Sequence, residues 1–189
     1  MEDFGPLERA KAFLFPPKEQ AKGVIREWIE TIVVAGLIAL VIRSFILQIF
    51  YIPSGSMIPT LLPKDRIIGL MFTYRFREPM RNDVIIFKYP EDKSKNFVKR
   101  LIGLPGETVK LRDGQVFINE KPLEQTGYIT MEDHAYFGPV TVPAGNYFVL
   151  GDNRPNSADS RVWGFLPREN VMGTGWFRIW PPSRVGFYN

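Results

Sequence analysis

Pro53-Ser54-Gly55-Ser56-Met57-Ile58-Pro59-Thr60 and, further along, Asn96-Phe97-Val98-Lys99-Arg100-Leu101-Ile102 are the two stretches from which the chain is read. In the first, Pro53 and Pro59 fix their own φ and push the residue before each towards extended geometry. Gly55 gives the backbone freedom and leaves space for another backbone to come close. The result is a stiff turn that presents Ser56. The second stretch reads as a β-strand, where residues i and i+2 share a face. Lys99 therefore points with Phe97 and Leu101 into apolar company. Such a lysine loses hydration, which disfavours its charged form and lowers its pKa. A neutral lysine accepts a proton, and a serine within its reach becomes a nucleophile. The Ser56 N–H and the Ser54 hydroxyl are the expected donors to a developing oxyanion.

Working outward, the texture after residue 50 is of short β-branched and aromatic runs punctuated by prolines. Arg66–Phe72, Asp83–Tyr89, Phe97–Ile102 and Glu107–Leu111 read as strands. Asp113-Gly114 reads as the hairpin turn between the last of these and Gln115–Asn119. Further strands are expected at Tyr128–Met131, Val140–Val142, Tyr147–Leu150 and Val171–Trp180. No long amphipathic helix is legible beyond residue 50. The expected fold class is mainly β, an antiparallel β domain over residues 51–189 behind one N-terminal helix.

Ahead of that domain, residues 1–27 are mixed in charge and residues 28–50 are dominated by apolar side chains. The uncharged run from Thr31 to Ile42 is twelve residues long, shorter than the roughly 20 that span a bilayer. Trp28 and Glu30 at one end and Arg43 at the other suit interfacial anchoring and snorkelling, and Phe45–Phe50 continues the apolar surface. These features read as a single-pass membrane helix followed by a membrane-apposed segment. A cleaved signal peptide is rejected, because the run begins late and no small-x-small site follows it. Lys11, Lys18, Lys22 and Arg26 on the amino side, against Arg43 alone on the other, place the N-terminus in the cytoplasm and the β domain outside.

Composition excludes several chemistries. Among 189 residues, 45% apolar and 14% aromatic, there is no cysteine and only one histidine. A disulfide framework, a cysteine nucleophile and a multi-histidine metal site are thereby ruled out. Three other readings stay open at this point. A Ser-His-Asp hydrolase would use His134 with Asp133 or Asp152. A membrane-tethered β module without enzymatic activity would bind a peptide or a partner (exported peptides, on the resemblance given below). A nucleic-acid binder is disfavoured, since no concentrated basic patch interleaved with aromatics is present.

A third stretch adds weight: Gly151-Asp152-Asn153-Arg154-Pro155-Asn156-Ser157-Ala158-Asp159-Ser160-Arg161. This polar loop directly follows the apolar Tyr147–Leu150 run. Asp159 and Arg161 suit a charge-assisted pair, and Ser157 suits a hydrogen bond to a neutral lysine amine. Together with Arg81–Pro90, Phe97–Glu107 and Pro53–Leu61, it resembles bacterial type I signal peptidase, the membrane-bound Ser/Lys leader peptidase. The resemblance covers about 150 of 189 residues. It implies Ser56 as nucleophile, Lys99 as general base, Ser54 as oxyanion donor, Ser157 as the residue orienting the amine, and Asp159 with Arg161 as a supporting pair. It also implies a substrate groove lined by Phe50, Ile52, Pro53, Met57, Leu61, Phe97 and Val98, with no metal and no cofactor. The implied substrates are preproteins whose signal peptides carry small residues at the −1 and −3 positions. The implied setting is a phospholipid membrane, the plasma membrane or that of a thylakoid, with the export machinery as a further partner. Asn82, Pro155 and Lys64 depart from the residues most frequent in that family, and none of them touches the dyad.

Overall fold

The computed structural model describes residues 18–45, 47–125, 127–129 and 133–188, with the side chains of 18–25 and 41–45 outside that description. The expected cytoplasmic segment up to residue 17 and the cation at position 43 lie outside the described residues. Two compact units emerge, Met1–Ser44 and Phe45–Asn189. The first contains helix α1, Lys18–Phe45, but for its last residue, with an exposed Arg26–Glu30 pair at 2.8 Å, four residues apart. Trp28, Ile29, Ile32, Val33, Val34, Leu37, Ile38 and Leu40 on this helix are all more than half exposed. Among the described residues, no helix is long and apolar enough to cross a membrane.

The second unit is antiparallel β throughout. Its strands are β1 (Leu47–Tyr51), β2 (Arg66–Leu70), β3 (Val84–Tyr89), β4 (Asp92–Gly103), β5 (Thr108–Arg112), β6 (Gln115–Ile118), β7 (Lys121–Pro122), β8 (Phe137–Thr141), β9 (Asn146–Leu150), β10 (Leu166–Pro167), β11 (Val171–Trp180) and β12 (Gly186–Phe187). The larger sheet runs β1-β2-β11-β3-β4-β9-β10, with β12 on β11, and the smaller runs β7-β6-β5-β8. Two one-turn helices intervene, α2 (Thr73–Phe76) and α3 (Ser160–Trp163).

Val84-Ile85-Ile86-Phe87 on β3 is buried at every position, because both faces of the sheet are covered. Ile85 and Phe87 join Tyr74, Leu101, Tyr147, Val149 and Leu166 in one cluster. Val84 and Ile86 join Ile52, Met57, Leu61 and Ile67 in another. The strict alternation between the clusters is the period-two geometry of a strand. A third cluster, around Ile102, Val109, Leu111, Val116 and Phe148, joins residues of the two sheets.

Several expectations change on contact with the structure. Asp113 (φ 49°) and Gly114 (φ 74°) form the two-residue turn that pairs Arg112 with Gln115, as the sequence implied. Tyr128, expected to open a strand, instead sits in a turn, packed against the Arg100 guanidinium at 3.9 Å; residues 130 and 131 of that expected strand lie outside the described residues. Leu47–Tyr51, read from sequence as apolar surface beyond a membrane helix, is an edge strand paired with β2. Asn82 (φ 72°) and Lys64 (φ 76°), two of the departures noted above, both occupy left-handed backbone. Glycine takes that geometry without strain, asparagine tolerates it, and lysine is strained there.

Candidate active site

The Ser56 turn is anchored from behind by its own neighbours. Met57 and Leu61 are buried at 1% and 0% exposure, and the Leu61 N–H donates to the Met57 carbonyl at 2.8 Å. Leu61, expected in the substrate groove, is therefore a core residue. Its side chain packs with Ile67, Val84 and Ile86 behind the turn, and it is not among the residues lining the cleft described below.

β4 brings the lysine. Lys99 pairs with Ile85 on β3. On its other side β9 pairs with β4 at Arg100↔Leu150 and Leu101↔Val149. One step further along that register, beside Lys99, β9 ends and the chain enters the Gly151–Arg161 loop. The gap so opened is filled by the serine turn. Lys99 Nζ lies in hydrogen-bond contact with Ser56 Oγ at 2.6 Å, and the lysine is 3% exposed. Burial lowers its pKa from 10.5 to about 8, opposed by the charges of Asp159 and Asp152 and assisted by that of Arg161. Desolvation of the ammonium is thus the dominant cause.

The two opposing carboxylates are each neutralised by an arginine. Asp159 is held by Arg161 through Nε at 2.8 Å and Nη2 at 2.9 Å, and it also accepts the Gly151 N–H at 3.0 Å. Arg161 donates as well to the Arg154 carbonyl at 2.6 Å, knitting the loop together. Asp152 receives Arg100 in a two-pronged pair at 2.8 and 2.7 Å and the Thr60 hydroxyl at 2.5 Å. Arg100 points opposite to Lys99, as strand alternation requires, and is buried and paired.

The loop packs closely on the nucleophile. A Cβ on Gly151 would stand 2.4 Å from the Ser56 carbonyl oxygen and 2.2 Å from Ser157 Oγ, so only glycine fits. The Asn153 N–H donates to the Ser56 carbonyl at 3.1 Å, and Asn153 Nδ2 donates to the Gly55 carbonyl at 2.9 Å. Ser54 Oγ is 3.4 Å from Ser56 Oγ. Ser157 does not make the bond to the lysine amine that its place in the sequence suggested. Its hydroxyl is buried without a hydrogen-bond partner among the described residues, turned against Gly151.

A cleft of about 560 Å³ opens over the pair, lined by Phe50, Ile52, Pro53, Met57, Phe97 and Val98 together with Ser54, Ser56 and Lys99. Tyr51, Gly55, Asn96, Asn156 and Ala158 complete it. Among the described lining residues Lys99 is the only ionisable group apart from the Tyr51 phenol, so the cleft wall is largely uncharged. His134 is elsewhere in chemistry as well as in exposure. Its Nδ1 is 2.7 Å from Asp113 Oδ1 on a surface where the ring is 75% exposed, and the Asp152 of the rival triad is committed to Arg100 and Thr60.

The family described as signal peptidase, peptidase S26, matches residues 25–180. The chain belongs to this family. It is 45% identical over 174 residues to "Signal peptidase I" of Leptolyngbya laminosa, covering 88% of this chain and 85% of that one. A "Probable signal peptidase I-2" of Synechocystis is 46% identical over 168 residues, covering 84% and 76%. "Thylakoidal processing peptidase 1, chloroplastic" of Arabidopsis thaliana is 40% identical over 159 residues, covering 78% and 46%.

In this signal peptidase family member sequence reasoning missed Gly151 and Asn153, which act on the backbone of the serine turn, and Thr60, whose hydroxyl donates to Asp152. All three belong to quoted motifs. Only their partners, far away along the chain, reveal what they do.

Proposed function

We propose that the protein is a serine endopeptidase that removes N-terminal signal peptides from exported preproteins through a Ser56/Lys99 dyad. One observation carries this: a lysine buried to 3% exposure lies 2.6 Å from a serine hydroxyl in a chain of the signal peptidase family. Ser56 Oγ attacks the scissile carbonyl carbon while its proton passes to the neutral Lys99 amine. The Ser56 N–H and the Ser54 hydroxyl hold the oxyanion. The carbon–nitrogen bond then breaks, and Lys99 returns the proton to the leaving amine of the mature protein. A water molecule then gives a proton to the again-neutral Lys99 amine and attacks the acyl ester; the ester bond breaks, the signal peptide leaves, and Lys99 hands the proton to Ser56 Oγ. Asp159 and Arg161 keep the loop against the dyad, and the uncommitted Ser157 hydroxyl is the reserve partner for the amine.

Phe50, Ile52, Pro53, Met57, Phe97 and Val98 form the substrate walls, and small side chains at −1 and −3 suit their apolar surface. Membrane attachment through α1 belongs to the same reading. Its support is the row of large apolar side chains left exposed on that helix, which water does not favour. The N-terminus is placed in the cytoplasm and the β domain outside, at the plasma membrane or in a thylakoid.

The test uses the detergent-solubilised chain and a preprotein with an Ala-x-Ala site. Wild-type protein is expected to cleave it, with a rate that climbs as pH rises through about 8, and Ser56→Ala is expected to be inert. Equal cleavage by both would remove Ser56 from the mechanism.

A further inference from the structure

We infer that Asn153 is a positioning residue that aims the Ser56 N–H at the oxyanion. The inference rests on the reading of Ser56 as nucleophile and adds a residue to it. Asn153 is 3% exposed and is not among the residues lining the cleft, so it lies behind the turn. From there it binds two consecutive carbonyls, Gly55 through Nδ2 at 2.9 Å and Ser56 through its backbone N–H at 3.1 Å. The Gly55–Ser56 peptide is trans, since the cis bonds among the described residues are those before Pro59, Pro139 and Pro181. In a planar trans peptide the C=O of one residue and the N–H of the next point in opposite directions. A Gly55 carbonyl tied back to the Asn153 amide therefore turns the Ser56 N–H away from the loop and towards the cleft. Among the described residues no acceptor takes that N–H.

The second tie works on the other side of the same residue. Holding the Ser56 carbonyl prevents rotation about its ψ, so both peptide planes flanking the nucleophile are fixed. Hydrogen bonding to the Gly55 oxygen also polarises that peptide group and makes its N–H a stronger donor. Among the described residues the side-chain amide makes no hydrogen bond to Ser56 Oγ or Lys99 Nζ, which separates its role from that of the base. A donor held in place before reaction is the form in which oxyanion stabilisation is most effective.

The experiment compares wild type, Asn153→Ala and the size-preserving Asn153→Asp, all full-length and in detergent. Peptide cleavage is followed together with binding of two inhibitors, an Ala-x-Ala peptide aldehyde and the same peptide ending in a primary alcohol. The aldehyde carbon bonds to Ser56 Oγ and leaves its oxygen at the oxyanion position, whereas the alcohol only occupies the cleft. Expected for both variants are a kcat lower by roughly 10- to 100-fold with KM within about twofold of wild type. Aldehyde affinity should fall in parallel, alcohol affinity should hold, and the pH midpoint set by Lys99 should stay in place. Because Asn153→Asp replaces the donor by an acceptor, it should be at least as damaging as Asn153→Ala. Active wild type with an unimpaired Asn153→Ala overturns the clamp alone, as does equal loss of aldehyde and alcohol binding. Wild-type protein that cleaves nothing overturns the nucleophile reading and the clamp together.

Discussion

A lysine that is to take a proton near neutral pH has to be kept from water, and that protection carries a thermodynamic penalty. Lys99 titrates near 8 when folded against 10.5 for the free side chain, a difference corresponding to about 3 kcal/mol. The sign follows from proton linkage. Between those two values the unfolded chain binds the proton and the folded chain does not, so stability rises with pH across that window. Below pH 8 the folded state carries the full cost of burying an ammonium. Lys99→Met, which keeps the volume and removes the charge, is therefore expected to abolish cleavage. The same change should raise the melting temperature at pH 6, with the gain shrinking as the pH approaches 10.5. Thermal melts of both proteins across that range measure it, and a variant less stable at pH 6 would contradict the electrostatic argument. The catalytic amine is thus expected to be a source of instability.

At the level of elements, the site depends on where β9 stops. Had β9 continued pairing, the next residue would have covered Lys99; the chain turns off at Gly151 and leaves room for Ser56. Gly151 is not in left-handed backbone, so its requirement is one of space. Gly151→Ala would bring a methyl group to 2.4 Å from the Ser56 carbonyl and 2.2 Å from Ser157 Oγ. Neither separation is tolerable, so the turn must move. A shift of about 1 Å in a reacting group costs on the order of 10²-fold in rate. The expected result is a loss of activity of that size with little change in the β circular-dichroism signal. Unaltered kinetics would show that the loop and the turn are looser than their packing implies.

For the molecule as a whole, the division falls at Ser44, with Met1–Ser44 and Phe45–Asn189 each compact. Every residue of the dyad, the loop and the cleft belongs to the second unit. A chain beginning at Phe45 is therefore expected to fold and to cleave a short Ala-x-Ala peptide within several-fold of the full-length rate. It should lose flotation with phospholipid vesicles, because the exposed apolar residues of α1 are gone. Flotation of the shortened chain at the full-length level would move the lipid-binding surface from α1 to the β unit.

What the sequence determined by itself was whatever depends on near neighbours. The alternation Phe97-Val98-Lys99-Arg100-Leu101 sets which side chains share a face, the Asp113-Gly114 pair makes the turn, and the prolines around Ser56 stiffen its loop. Each of these is a property of a few consecutive φ and ψ angles, and each is legible without a fold. Only the tertiary structure decided that Leu61 is buried away from the lining of the cleft, that the amine's hydrogen bond goes to Ser56 and not to Ser157, and that Asn153 grips a carbonyl 98 residues away. Spacing along the chain holds no record of which loop closes on which turn; that is settled by the register of β4 against β9 and by the steric room that a glycine leaves there.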